Sequence, residues 1–200
     1  MSVTELSTRD RIVQSALEEI EKNGIVGLRV ADVAANADVS VPLIYKYFRD
    51  RDGLLAEVLS GTIATYFMQD IHAMKTFVET TEGPFEPTDL LAFMPTPDQP
   101  WRIRNRRLRA MAIAASFDIP KLADALAMNQ RLMNEATREL IELVRERTGS
   151  KSNVSSQAVT VLFQALAFGL VVNDHQTTEK VSLAAYQELV IELFNLLVFE

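Results

Sequence analysis

Two hundred residues, 48% hydrophobic and 24% charged, supply enough apolar material for one domain, or a small domain joined to a larger one, and exclude a disordered tail. The absence of cysteine excludes a disulfide framework or a thiolate metal site. With no charged-then-apolar leader before the first amphipathic segment, it points to the cytoplasm. The net charge of −7 argues against uniform attraction to nucleic acid, but residues 1–51 carry seven basic and eight acidic side chains, so the excess acidity lies mostly beyond them.

The first helical segment spans about Thr8 to Asn23, with Ile12, Val13, Ala16, Leu17 and Ile20 on one apolar stripe. Ser7 is placed to cap it and Gly24 to stop it in the left-handed region. A short alanine-rich helix follows from about Val30 to Asn36, then Asp38 as a turn residue. Ser40 opens a third helix, with Pro42 inside its first turn where no amide hydrogen is needed. Asp50 caps a fourth that begins near Arg51 and carries Leu54, Leu55, Val58, Leu59, Phe67, Ile71, Met74 and Val78 along one face. Between Glu82 and Pro100 lie five of the seven prolines, Pro84, Pro87, Pro95, Pro97 and Pro100. This predicts an irregular connection with one short helical turn around Asp89 to Phe93, serving as a pocket lid or as a partner site.

A helix restarts near Pro100 and runs to about Phe117, and a long amphipathic one starts at Pro120 and ends at TGSKSNVSS. Two final helices, about Ser155–Asn173 and Ser182–Phe199, are apolar on nearly all sides. The longest apolar run, Val154 to Val172, is interrupted by Ser155, Ser156, Gln157, Thr160 and Gln164. A membrane span needs about 20 nearly uninterrupted apolar residues, so the run reads as a buried helix. No strand-like alternation of useful length occurs. The expected fold class is all-α, with an N-terminal three-helix helix-turn-helix DNA-binding domain over residues 1–51 and a larger helical effector-binding and dimerisation domain over 52–200.

A helix-turn-helix presents its second helix to the DNA major groove and clamps it with the first. Val33, Ala34, Ala37, Val39, Ile44 and Phe48 are placed to pack inward. Ser40, Val41, Pro42, Tyr45, Lys46 and Tyr47 are left for groove and backbone. Ser40 and the free amides of the helix start suit phosphate oxygens. The tyrosine hydroxyls can donate to phosphates, Lys46 brings a point charge, and Val41 and Pro42 can touch thymine methyls. The segment itself has no Arg, Asn or Gln for a bidentate base contact; Arg29 is a candidate just outside it. Two tyrosines anchoring helices, and a solvated lysine, are the plainer alternatives.

The residues LRVADVAANADVSVPLIYKYFRDRDGLL resemble the N-terminal signature of the TetR family of bacterial transcriptional regulators, over roughly Arg11 to Leu59. The resemblance places Tyr45, Lys46 and Tyr47 on DNA-contacting positions. It puts Arg51 where a phosphate-gripping lysine is usual, a task an arginine can also perform. Asp38 replaces the usual turn glycine, and Val30 stands where a capping Thr or Ser is common.

The resemblance further implies an effector-binding body that dimerises through its last two helices. The apolar stretches Ala165–Val172 and Glu188–Phe199 support this independently, since a helix apolar all round must be covered on several sides. Burial within one subunit is the alternative. For an apolar effector the candidates are Phe67, Met74, Trp101, Arg104, Met111, Phe117, Met133 and Phe163, a set equally suited to plain core. Within WRIRNRRLR, Arg104 alone falls on the stripe of Trp101, Leu108, Met111, Ala112 and Ala115. A buried arginine there would need an internal carboxylate, an anionic effector group or a path to solvent. His72 and His175 lack ligand spacing, and no nucleophile–base pair, Gly-rich phosphate loop or carboxylate pair is recognisable, so neither metal, cofactor nor enzyme activity is expected.

The expected function is a homodimeric regulator, most simply a repressor, released from near-palindromic operator DNA by a small apolar effector. A helical ligand-binding or enzyme-like dimer that no longer reads DNA, or a regulator answering to a protein partner, are the alternatives.

Overall fold

Helix α1, Thr8–Gly27, begins where Ser7 sits in extended geometry and accepts the Asp10 amide on its hydroxyl at 3.2 Å. Regular helix stops at Gly24 (φ 75°), as the glycine suggests, but one further turn carries α1 on to Gly27. This is a computed structural model, and it describes residues 6–90, 93, 98–175 and 182–199. Among these the elements are all helical. They are α2 (Val30–Asn36), α3 (Val41–Phe48), α4 (Arg51–Thr80), α5 (Pro87–Leu90), α6 (Pro100–Ser116), α7 (Pro120–Thr148), α8 (Ser156–Asp174) and α9 (Leu183–Phe194), with α9 running into a π-turn at Asn195–Phe199.

The anticipated breaks fall where the chemistry puts them. Asp38 takes φ 53°, Asp50 accepts the Gly53 amide on Oδ1 at 2.8 Å, and Ser182 accepts the Ala185 amide at 3.1 Å. Gly149 (φ 69°) ends α7 inside the expected TGSKSNVSS break. In the proline-rich stretch Pro87–Leu90 is α-helical, Phe93 is in a 3-10 turn and Pro100 starts α6, while Pro95 and Pro97 lie outside the described residues.

The chain packs as two units. One comprises Met1–Ile63 with Leu108–Asn129, the other Ala64–Arg107 with Gln130–Glu200. In the first, Ile12, Ala16 and Ile20 of α1 meet Val33 and Ala34 of α2, Ile44 and Phe48 of α3, Leu54, Leu55, Val58 and Leu59 of α4, and Leu108, Ala112 and Leu122. Residues 108–129 thus complete the core beneath the helix-turn-helix. In the second, Ile71, Met74 and Val78 of α4 pack with Phe85, Leu90, Leu140, Ile141, Val144, Val159 and Val198.

Helix α8 departs from expectation. Within its single chain only 11% of its most apolar window is buried, so the reading of the Val154–Val172 run as a buried helix does not hold for one subunit. Val161 is 56% exposed, Leu162 38% and Val172 65%, with Leu189 (48%) and Leu196 (59%) bare on α9 and its π-turn. By length and composition α8 is also the one helix among the described residues that could cross a membrane.

Candidate functional site

The short helix α3 divides its residues sharply. Ile44 (0% exposed) and Phe48 (5%) enter the core, four residues apart on one face. Tyr45, Lys46 and Tyr47 stand outside, with the two tyrosines 42% and 46% exposed. Pro42 and Ser40 are exposed as well, and so is Arg29, which precedes α2 as its N-cap without a side-chain bond. Val41 is partly buried and packs against the core, leaving only an edge accessible.

What α3 offers at its start is narrower than four free amides. Ser40 caps by position only; its hydroxyl makes no capping bond. Pro42 has no N–H, and the Leu43 and Ile44 amides already bond the Ser40 carbonyl at 3.0 and 3.3 Å. The Ser40 hydroxyl and the first amide remain as anion donors. Among the described residues no ion pair engages Arg29, Lys46 or Arg49, and all three are exposed on an otherwise acidic chain.

The frame that holds α3 is polar as well as apolar. Ser15, buried on α1, donates its hydroxyl to the Val33 carbonyl of α2 at 3.0 Å, locking the two helices together. Arg51 donates to the Ile25, Val26 and Leu28 carbonyls at 2.6, 3.2 and 3.3 Å, closing the C-terminal end of α1. Its Nε and Nη2 are therefore committed to backbone, which the sequence did not suggest. Between α3 and α4, Arg49 takes φ 69° and ψ −53° while the Asp50 amide bonds the Phe48 carbonyl at 2.9 Å, a γ-turn of the rare positive-φ form. Lys121 donates to Asp50 Oδ2. That bond, followed by the Gly53 amide, holds the Asp50 carboxyl below its usual range. Arg9 lies 5.7 Å from the Phe48 ring centre and pairs with Glu57 at 2.5 Å, tying α1 to α3 and α4.

The effector candidates do not gather in one unit. Met74, Phe67 and Phe163 share the second core, where Phe163 stacks on Phe194 at 4.5 Å, and Met133 is buried in the same unit. Trp101 is 41% exposed there, its ring 5.8 Å from Tyr66. Met111 packs in the first core and Phe117, also in that unit, is 85% exposed.

Arg104 requires correction as to where it points: it is exposed. Its neighbours Arg102 and Arg106 are the sequestered pair, their side chains 13% and 12% exposed. Arg102 grips Asp70 with two bonds of 2.9 and 3.0 Å, and Arg106 grips Asp174 with two of 2.8 and 2.6 Å. The reason is that α6 passes from one packing unit to the other at Arg107 and Leu108. The stripe set by Leu108 and Ala112 therefore does not extrapolate back to Arg104. Arginines four apart, with carboxylates available on α4 and α8, were the signal that could have found this pair. Beside them, burial raises the Tyr186 hydroxyl pKa against the opposing pull of Arg106 and Arg102.

Among the described residues no group of three or more His, Asp or Glu could hold a metal. The helix-turn-helix with its exposed tyrosine–lysine–tyrosine tip has counterparts among known proteins. Residues 12–58 match the family model of bacterial regulatory proteins, tetR family. A stretch of 55 residues is 36% identical to YttP of Bacillus subtilis (strain 168), assigned as an HTH-type transcriptional regulator, covering 28% of this chain and 27% of that relative. Identity to the HTH-type transcriptional regulator BetI of Burkholderia mallei (strain NCTC 10229) is 26% over 164 residues, 80% of this chain and 71% of the relative. A Rhodococcus sp. protein assigned to the TetR-family transcriptional regulators has the same fold, with a TM-score of 0.70 and 24% identity over 96% of this chain and 98% of that one.

Proposed function

We propose that the chain is a homodimeric, ligand-responsive repressor. Residues 1–51 read a near-palindromic operator and residues 52–200 bind a small apolar effector and dimerise. The observation that carries this reading is the partition of α3, with Ile44 and Phe48 buried and Pro42, Tyr45, Lys46 and Tyr47 exposed beside Ser40 and Arg29. Tyr45, Tyr47 and Ser40 grip phosphates, Lys46 adds charge, and Pro42 with the accessible edge of Val41 meets thymine methyls. Arg29 supplies the base-edge contact that α3 lacks. Arg51 keeps Nη1 for phosphate, although that nitrogen also lies 3.9 Å from Asp52.

The bare faces of α8 and α9 are covered by a second copy, forming a four-helix interface that sets two α3 helices about 34–36 Å apart. Gln157 on α8 is exposed and suits a protein partner better than lipid. The effector is held within the second unit, in reach of Phe67, Met74, Met133 and Phe163. It shifts the population between spacings that do and do not fit DNA. Such a protein works where the chromosome is, in the cytoplasm.

DNA from the protein's own upstream region tests the interface. Lys46→Ala is expected to weaken binding evenly across sequences and to lower the slope of log affinity against log salt by about one. A variant that binds like the parent with an unchanged slope would remove Lys46, and with it the proposed α3 face, from the contact.

A further inference from the structure

Threonine hydroxyls inside helices ordinarily turn back to a carbonyl one turn earlier. Thr80, Thr137 and Thr148 do so, at 2.8, 2.8 and 2.9 Å. Thr160 on α8 does not: it is 1% exposed and its Oγ1 is buried with no hydrogen-bond partner. One turn further along the same face, Gln164 meets two carboxamides of α7. Its amide donates to Asn134 Oδ1 at 2.8 Å, and Gln130 donates to Asn134 Oδ1 at 2.7 Å and to Gln164 Oε1 at 2.6 Å. All three are half-buried. Beside this polar cluster in sequence stand apolar residues of the same unit: Met133, 4% exposed, next to Asn134, and Phe163, stacked on Phe194, next to Gln164.

We infer that Thr160, Gln164, Asn134 and Gln130 form the polar end of the effector site, and that the effector is an uncharged amphiphile whose hydroxyl, ester or amide head bonds there. A carboxamide offers donor and acceptor alike, and a threonine hydroxyl offers both, so the cluster matches a neutral head in either sense. It contains no charged side chain. The most sequestered arginines of this unit are committed: Arg102 is held bidentately by Asp70 and Arg106 by Asp174, and Arg145 bonds the Val154 and Leu197 carbonyls. A carboxylate or ammonium head placed at the cluster would thus lose its hydration without gaining a counter-charge. A neutral head satisfies the orphaned Thr160 hydroxyl and leaves the apolar tail to the core side of α7 and α8. The regulatory consequence rests on the repressor reading; the binding itself does not.

The test uses the full chain and three probes with the same tail: monododecanoylglycerol, dodecanoate and dodecyltrimethylammonium, each below its micelle concentration. Calorimetric titration is expected to show the neutral probe binding at least about tenfold more tightly than either charged one. Thr160→Val, which keeps the shape and removes the hydroxyl, should weaken that binding about tenfold. The same variant without probe should melt no lower than the parent, because an unpartnered buried group has gone. Asn134→Leu gives a second variant with the same expected loss. Preference for a charged probe, or parent-like affinity in both variants, overturns the inference. So does a lower melting temperature of Thr160→Val with unchanged probe binding, which would mean that the hydroxyl holds only a structural water. The two readings fail separately. Tight neutral-probe binding that leaves a protein–DNA complex intact would sustain the site and contradict effector release, whereas charge preference alongside probe-driven release would do the reverse.

Discussion

Three arginines perform one task in this molecule. Arg51 closes α1 through the Ile25, Val26 and Leu28 carbonyls. Arg147 closes α4 through Val78 and Thr81, both at 2.6 Å. Arg145 reaches the Leu197 carbonyl in the π-turn at 2.7 Å, where Ser152 joins it at 3.1 Å. The last carbonyls of a helix lack partners and carry partial negative charge, and a guanidinium answers both needs. The glycines show the same division between structural need and free space. A Cβ at Gly53 would fall on the Phe48 carbonyl oxygen, whereas at Gly61, also on α4, it would meet nothing within 4 Å. Gly53→Ala is therefore expected to destabilise the chain by about 2 kcal/mol or more, since backbone and not a flexible side chain must yield. Gly61→Ala should stabilise it by about 0.5–1 kcal/mol. Urea unfolding of the two variants checks the contrast, and equal effects would contradict the tight α3–α4 junction. Local chemistry was legible where it is contiguous: Ser7, Gly24, Asp38 and Asp50 all act as their residue types and neighbours suggest. Arg51, Arg145 and Arg147 were not, because the carbonyls they bond lie 9 to 69 residues away in sequence.

At the scale of elements, helix positions were readable and helix surroundings less so. The short helices α2 and α3 follow from period, turn residues and the proline of the first turn. The direction of α6 misled because its two halves serve different packing units, so one stripe does not describe it. The π-turn at Asn195–Phe199 had no sequence signal; Arg145 and Ser152, remote in the chain, bond its Leu197 carbonyl. For α8 and α9 the sequence read apolarity all round, and the structure adds which side is bare: Val161, Leu162 and Val172 on α8, Leu189 on α9 and Leu196 in the π-turn. Charging that side leaves the subunit core untouched. Val161→Glu with Leu189→Glu is expected to give a folded monomer in sedimentation equilibrium, with helical circular dichroism retained. A variant that stays dimeric would place the interface elsewhere.

The proposed DNA binding by an acidic chain rests on where its charges lie. Lys46 on α3, Arg49 at its end and Arg29 before α2 are all exposed, while the bulk of the net charge of −7 lies beyond residue 51. Non-specific attraction should then be weak, and binding should depend on two such tips engaging one site together. On the proposed reading, specificity leans on Arg29, on apolar contact from Pro42, on DNA shape and on half-site spacing. The most direct test is equilibrium binding of the full chain to its own upstream DNA across a salt series, with the mass of the complex determined at each step. The account predicts two chains per site, affinity falling steeply with salt, and loss of binding when the α8–α9 face is charged. Binding that is absent or indifferent to salt, or a monomer that binds as tightly as the parent, would contradict it.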